Sequence, residues 1–506
     1  MRNWFWNILY LGCSIIQLIY FKHFISSNDA LAYLDVSSAY LKSDFTTSLS
    51  GYWSPLYSWI AIPFLYFNLN GIIALKLINI GGGLIGLIAF IKLSKLIIKV
   101  STTRNFILLL FILLSVYTQC ILTPDYIGNQ LLLLIIYYLL KYTTTQQESI
   151  PYKIALVSAI LYFLKAYNLI FVNLTVLSYI VLYGLKIKDF VLLRKFFVRY
   201  LITHSILILI LIIPLSKKYN EFTFEKSSEY NFSLINPSTT GLEEIEESLM
   251  SLLVKSDTIL PPLQFNFIHP DDERIQNKIK HWSPFSSKEF AQFYFHVLVK
   301  NLKSLYYDYH LKHLVFFLVM LILITIIIKK FTLPNNIIFL IVFCCIYVTG
   351  YLMIFYIPRY CSVLLYITIL VSGFYLEIIA NNEIRNSILA FLILIVFRDC
   401  SIGFLKLKNQ KNIQTDVVEQ ITKLDRKEFN NFITVINNRY SKEEINEVQF
   451  VSQLVCYYKN VKSKGYLFGD SAKNKYKVTT LYLKTNQNNS NSSARIKIEL
   501  LTQKVN

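Results

Sequence analysis

Residues 337–356 read IIFLIVFCCIYVTGYLMIFY, a stretch without one charged side chain. A run of about 20 such residues is the length an α-helix needs to cross the hydrocarbon of a bilayer. Working outward, the pattern recurs near residues 3–21, 72–97, 106–122, 126–141, 153–168, 169–185, 200–215, 312–328, 361–379 and 386–404. With 337–356 that makes about eleven spans. The fifth and sixth form one apolar stretch, broken only at Lys165, Ala166, Tyr167 and Asn168. Over the whole chain of 506 residues 54% are hydrophobic and 16% charged, with a mean hydropathy of +0.46. Soluble domains carry about 25% charged residues, so a soluble Rossmann or barrel enzyme, a disordered tail and a disulfide-stapled secreted domain are all excluded. The fold class is an all-α polytopic membrane protein.

The net charge of +19 points to the membrane and not to nucleic acid, because the basic residues sit between the apolar runs. With the N-terminus inside, the inner loops hold Lys92, Lys95, Lys99 and Arg104, then Lys141 and Lys153. Lys186, Lys188, Arg194, Lys195 and Arg199 follow, then Lys329 and Lys330, then Arg385. Lys and Arg concentrate on the cytoplasmic side of spans. Segments 22–71, 216–311 and 405–506 therefore lie outside, and the C-terminus lies opposite the N-terminus. The expected division is a membrane domain over 1–404, with its two outer loops, and a small α/β domain over 405–506. In the latter, 411–459 reads as helical, while Tyr476–Lys484 and Ala494–Leu500 alternate as strands with Ile496, Ile498 and Leu500 on one face. Met1–Phe21 has no convincing small-residue cleavage site and reads as a retained first helix. The seven cysteines lack metal-ligand spacing; all but Cys456 fall in or beside apolar runs, as small packing residues.

The first outer loop holds the most chemistry. Ser26-Ser27-Asn28-Asp29 starts a helix in which Leu31, Leu34 and Leu41 share one face and positions 29, 33, 36 and 40 another. A short helix along the membrane holds Asp29 just outside the hydrocarbon. By local sequence alone Asp29 would be an N-cap. Asp35 falls about 120° round the helix from it and is not its partner. Further on come Pro55-Leu56-Tyr57-Ser58-Trp59, then Thr123-Pro124-Asp125 at the outer start of a span, Trp282-Ser283-Pro284-Phe285 in the long loop, and Pro358-Arg359-Tyr360 at another outer start.

Together these blocks, over about 400 residues, resemble the GT-C superfamily of membrane glycosyltransferases, whose familiar members include protein O-mannosyltransferases and lipid A aminoarabinose transferases. The familiar members often carry an acidic pair where this chain has Asn28-Asp29. The resemblance implies transfer of a sugar, with inversion, from a polyprenyl-phosphate carrier to a hydroxyl of a glycan, lipid or protein on the outer face. A carboxylate within reach of the hydroxyl serves as base, and Asp29 takes that role. The leaving group is already a weak base and needs cations more than an acid. Arg359, with Lys165, is the implied phosphate-binding pair. Asp125, Tyr57 and Trp282 are implied at the acceptor or substrate. Each has a plainer alternative: Arg359 as an interfacial anchor, Lys165 as a turn marker, Asp125 as an N-cap and Trp282 as an interfacial anchor.

No Asp-x-Asp, Walker loop or His-Glu-x-x-His occurs. His269 and His281 read as solvated loop histidines, so no metal ligands and no cofactor are assigned, a divalent metal being left open. The acidic run Glu243, Glu244, Glu246 and Glu247 reads as the solvated face of a loop helix. The implied location is a bacterial cytoplasmic membrane. Two rivals stay open: an envelope glycan polymerase or ligase using pyrophosphate-linked oligosaccharides, and a lipid or solute transporter. A transporter places its polar groups at mid-membrane, whereas here they gather at the outer rim.

Overall fold

The computed structural model describes residues 3–44, 48–187, 190–233, 235–238, 241–246, 283–307, 315, 318–319, 334–353, 359, 362–378, 381–423, 432–436, 442–459, 463–468, 476–484 and 495–503. In chain order the helices are α1 Asn3–Tyr20, α2 Asn28–Leu41, α3 Leu56–Tyr66, α4 Gly71–Ile97, α5 Ser101–Thr118, α6 Pro124–Thr145, α7 Ile150–Leu164, α8 Asn168–Ile187 and α9 Phe190–Tyr219. The short α10 Ser227–Ser233 precedes a hairpin of β1 Ile235–Ser238 and β2 Gly241–Glu246. Then come α11 Lys288–Tyr307, α12 Asn335–Met353, α13 Ser362–Ile378, α14 Asn382–Thr422, β3 Phe432–Ile436, α15 Lys442–Lys459, β4 Ser463–Phe468, β5 Tyr476–Lys484 and β6 Arg495–Gln503. Among the described residues, five helices are long and apolar enough to cross a membrane, and four shorter ones are strongly apolar. The expected span at 312–328 lies outside the described residues.

The chain forms two compact units. The first comprises 1–22, 53–225 and 284–404; the second comprises 23–52, 226–283 and 405–506.

The first unit is the membrane helix assembly. Lipid offers backbone and polar side chains no hydrogen bonds, so every polar group must find a partner within the protein. Helices α4 and α6 solve this by close approach. A Cβ at Gly83 would lie 1.9 Å from the Tyr10 hydroxyl and 2.2 Å from that of Tyr126, and one at Gly86 would lie 1.8 Å from Gln130 Oε1. Small residues at these positions let the polar neighbours fill the space. Around them runs a buried network: Tyr10 donates to Gln119 Oε1 at 2.8 Å, Ser115 and Tyr126 hydroxyls meet at 2.7 Å, and Gln130 Nε2 donates to the Tyr366 hydroxyl at 3.0 Å. The break expected at 165–168 is present, with Lys165 ending α7 in an extended conformation.

The second unit gathers α2, the hairpin and the C-terminal segment. The helical reading of 411–459 needs correction. After α14, strand β3 interrupts it, and α15 returns the chain to β4, parallel to β3 as such a crossover requires. Antiparallel β5 and β6 complete a sheet in the order β4-β3-β6-β5. The error is physical: Phe432–Ile436 is a short continuous apolar run, which periodicity cannot separate from a helix. Ile498 and Leu500 are fully buried as expected, with Leu481 registered opposite Ile498. The acidic run is also corrected, since Glu243, Glu244 and Glu246 lie on strand β2, not on a helix. Cys456 is buried in α15, so it is no probe of sidedness.

Sidedness is best tested at exposed positions. In a background without the native cysteines, Glu419→Cys should react with a membrane-impermeant maleimide added to intact cells. Gln146→Cys should react only after the membrane is opened. The reverse pattern would invert the assigned topology.

Candidate active site

Helix α6 begins at a proline, which supplies no N–H and has its φ preset for the first helical turn. Thr123 is the N-cap, so Asp125 is not; it sits in the first turn, where an acid suits the helix dipole. Its side chain is almost wholly buried, with 1% exposed. A carboxylate there must be compensated, since one stripped of water and left unpaired is strongly disfavoured. Three side chains from two other segments do so. Tyr167 donates to Oδ1 at 2.7 Å, Lys165 Nζ stands 3.8 Å from Oδ1, and Arg359 Nε stands 3.9 Å from Oδ2. Unlike the acid, the two cations are partly open, 18% and 21% exposed. The trio carries one net positive charge, with its cations outermost.

The supports are as specific as the trio. Asn129 lies one turn below Asp125 on α6 and ties down the segment carrying Arg359. Its Nδ2 donates to the Arg359 carbonyl at 3.4 Å, while Oδ1 accepts from Tyr347 at 3.2 Å and from the Val363 amide at 3.4 Å. The Ala166 amide donates to Ser54 Oγ at 3.2 Å, fixing the break that carries Lys165. Tyr57 is fully buried and donates to Asn79 Oδ1 at 3.1 Å, and Asn79 in turn donates to the carbonyls of Gln119 and Ile121 just before Asp125. Lys76, buried on α4, donates to the Phe21 carbonyl.

The structure therefore brings together Lys165, Arg359 and Asp125, with Tyr57 in the supporting network. Trp282, His269 and His281 lie outside the described residues, as do Pro358 and Tyr360. Among the described residues no group of three His, Cys, Asp or Glu side chains is placed to hold a metal. Asp29 belongs to the second unit. The N-cap of α2 is Ser27, whose Oγ accepts from the Asp29 amide at 3.2 Å. Asp29 is thus not the N-cap that local sequence suggested, and the residue is half-buried. On the same helix Leu31, Leu34, Tyr33 and Val36 are buried, while Leu41 is exposed. Burial pushes the Asp35 carboxyl up to about 7, with Lys42 opposing.

Sequence reasoning missed Asn129, Tyr167 and Lys76. Asn129 had a signal, four residues after Asp125 on an otherwise apolar stretch, where it shares the acid's helix face.

No protein-family model matches the sequence, and no curated protein matches it. Among solved structures, ArnT from Cupriavidus metallidurans bound to undecaprenyl phosphate is similar over 98% of each chain, at a TM-score of 0.53 and 10% identity. The same protein in the apo state covers 92% of this chain at a TM-score of 0.41 and 12% identity. The chain shares the fold of that ArnT structure. That full-length coverage includes the second unit as well as the membrane helices, in keeping with the resemblance read from the sequence blocks.

Two outcomes follow from the charges. In a double-mutant cycle on thermal or denaturant stability, Asp125→Asn and Arg359→Gln should be coupled by about 0.5–3 kcal/mol, the range for residues sharing one network; additivity would deny the pairing. Asp35 binds its proton more tightly folded than unfolded, so between about pH 4 and 7 stability falls as pH rises. Asp35→Asn should accordingly raise the unfolding temperature at pH 8 and leave it unchanged at pH 3.

Proposed function

We propose that the protein is a membrane glycosyltransferase that moves a sugar from a polyprenyl-phosphate carrier to an acceptor hydroxyl on the outer face, inverting the anomeric centre. The observation that carries this reading is the pair of partly exposed cations, Lys165 and Arg359, converging on buried Asp125 within a GT-C fold. ArnT, with undecaprenyl phosphate bound, lends the donor class.

In this reaction Asp29 takes the acceptor proton as the acceptor oxygen attacks the anomeric carbon. The bond from that carbon to the phosphate oxygen breaks, and its electron pair leaves with the lipid phosphate, which changes from a singly charged diester to a monoester of higher charge. Arg359 and Lys165 hold the phosphate and stabilise the charge that grows there. Asp125 is a positioning residue: with Tyr167 it fixes both cations before the donor arrives, so little reorganisation is needed during reaction. The distribution of Lys and Arg supports the outer face as the site of reaction, with 405–506 as an extracytoplasmic domain of a protein in the cytoplasmic membrane. No step calls for a metal.

Asp29→Asn should abolish transfer from a polyprenyl-phosphate sugar while insertion and protein level stay normal, because the amide keeps the shape and loses the basicity. Arg359→Ala should cost about 30- to 1,000-fold in turnover, the scale of about 2–4 kcal/mol for one electrostatic donor. Arg359→Lys should recover only part, lacking the planar fork. Turnover normalised to folded protein checks all three. Full activity in Asp29→Asn would remove Asp29 as base, and equal turnover at position 359 would reduce Arg359 to an anchor.

A further inference from the structure

The second unit contains a cavity of about 330 Å³ beside the start of α2, walled by α14 and α15. This volume is within the range of small-molecule sites. Its lining mixes two chemistries. Phe24, Ile25, Phe450 and Leu454 supply apolar and aromatic surface, and Ser26, Ser27, Asn28, Gln410 and Gln414 supply neutral hydroxyls and amides. Among the described residues no charged side chain lines it.

Gln414 is the informative residue. It is 6% exposed, and its Oε1 accepts from the Ile25 amide at 3.0 Å. Its Nε2, equally buried, has no hydrogen-bond partner among the described residues. A buried amide donor left unpaired is costly, of order 1–3 kcal/mol, and such a group facing a cavity calls for a ligand acceptor. The next residue after the lining Asn28 is Asp29, whose amide is held by lining Ser27.

We propose that this cavity binds a neutral sugar unit of the acceptor, whose hydroxyl it presents to Asp29. The proposal rests on the glycosyl-transfer reading and narrows its acceptor to an uncharged glycan. Sugars offer what this lining accepts: hydroxyls for amides and Ser side chains, and apolar C–H faces for aromatic rings. An anionic lipid headgroup would enter without a counter-charge. An extended peptide would need an unpaired strand edge, whereas helices α2, α14 and α15 use their backbone groups internally.

The test is saturation-transfer NMR on the full chain in nanodiscs. The probes are neutral methyl glycosides (glucoside, galactoside, mannoside and N-acetylglucosaminide), methyl glucuronide and a blocked Ala-Ser-Ala tripeptide. At least one neutral glycoside should show transfer; the glucuronide and peptide should show none. Val451→Trp, which fills the cavity from a buried lining position, should abolish the signal. Gln414→Leu should weaken binding about tenfold, the loss expected for one hydrogen bond; it decides alone if the first variant does not fold. Transfer to no neutral glycoside, transfer unchanged in these variants, or binding of the peptide or glucuronide in their stead would overturn the proposal. Thermal stabilisation by a polyprenyl phosphate, measured in parallel, should be unaltered in Val451→Trp. Its absence in the wild type would count against the donor reading and leave the glycoside result standing on its own.

Discussion

The glycines at positions 83 and 86 bring α4 so near α6 that the Tyr10, Tyr126 and Gln130 side chains occupy the volume a Cβ would need. In lipid there is no hydrophobic gain from pressing two apolar helices together, so association depends on this kind of close contact and on shared hydrogen bonds. The network from Tyr10 through Gln119, and from Gln130 to Tyr366, then locks α1, α5 and α13 to the same pair. The place of Asp125 follows. It begins α6, and the Asn79 bonds to the carbonyls of Gln119 and Ile121 fix the short approach to it.

Once a buried carboxylate is fixed, electrostatics dictates its surroundings. Two cations, Lys165 and Arg359, face this one acid. Both stand near 4 Å, ion-pair and not hydrogen-bond distance, and both are more open than the acid. That arrangement suits the phosphate-holding role proposed for them. The break between α7 and α8 has the same logic. A continuous helix would carry Lys165 on one face of a span, but ending α7 there frees its extended backbone, and the Ser54 bond to Ala166 sets where it points.

The sequence disclosed the membrane helices because hydrocarbon thickness imposes a length that composition alone satisfies. It disclosed Asp125, Lys165 and Arg359 as individual suspects because charge beside an apolar run is conspicuous. It could not disclose that they meet, since Arg359 comes to Asp125 from more than 230 residues away, beside an Asn129 bond to its carbonyl. Strand β3 was hidden for another reason: five apolar residues between polar ends satisfy either helix or strand, and only pairing with β4 and β6 decides. Asp29 was legible as an acid but not as a residue outside the cap, because choosing between Ser26, Ser27, Asn28 and Asp29 as cap requires the backbone angles at Ser27.

The two units differ in the chemistry they can handle, and the difference suits the course of charge in the glycosyl transfer proposed. In a single displacement, negative charge accumulates on the departing phosphate, while the acceptor hydroxyl stays neutral until its proton is removed. Cations are therefore useful at the phosphate, where their contact strengthens towards the transition state. Near the acceptor they would favour binding of other anions and stabilise the base in its ionised but less basic form. The cation pair belongs to the membrane unit, whereas the described residues that line the cavity at the start of α2 carry no charge, which suits a phosphate held at the first and a neutral acceptor at the second in the reaction proposed.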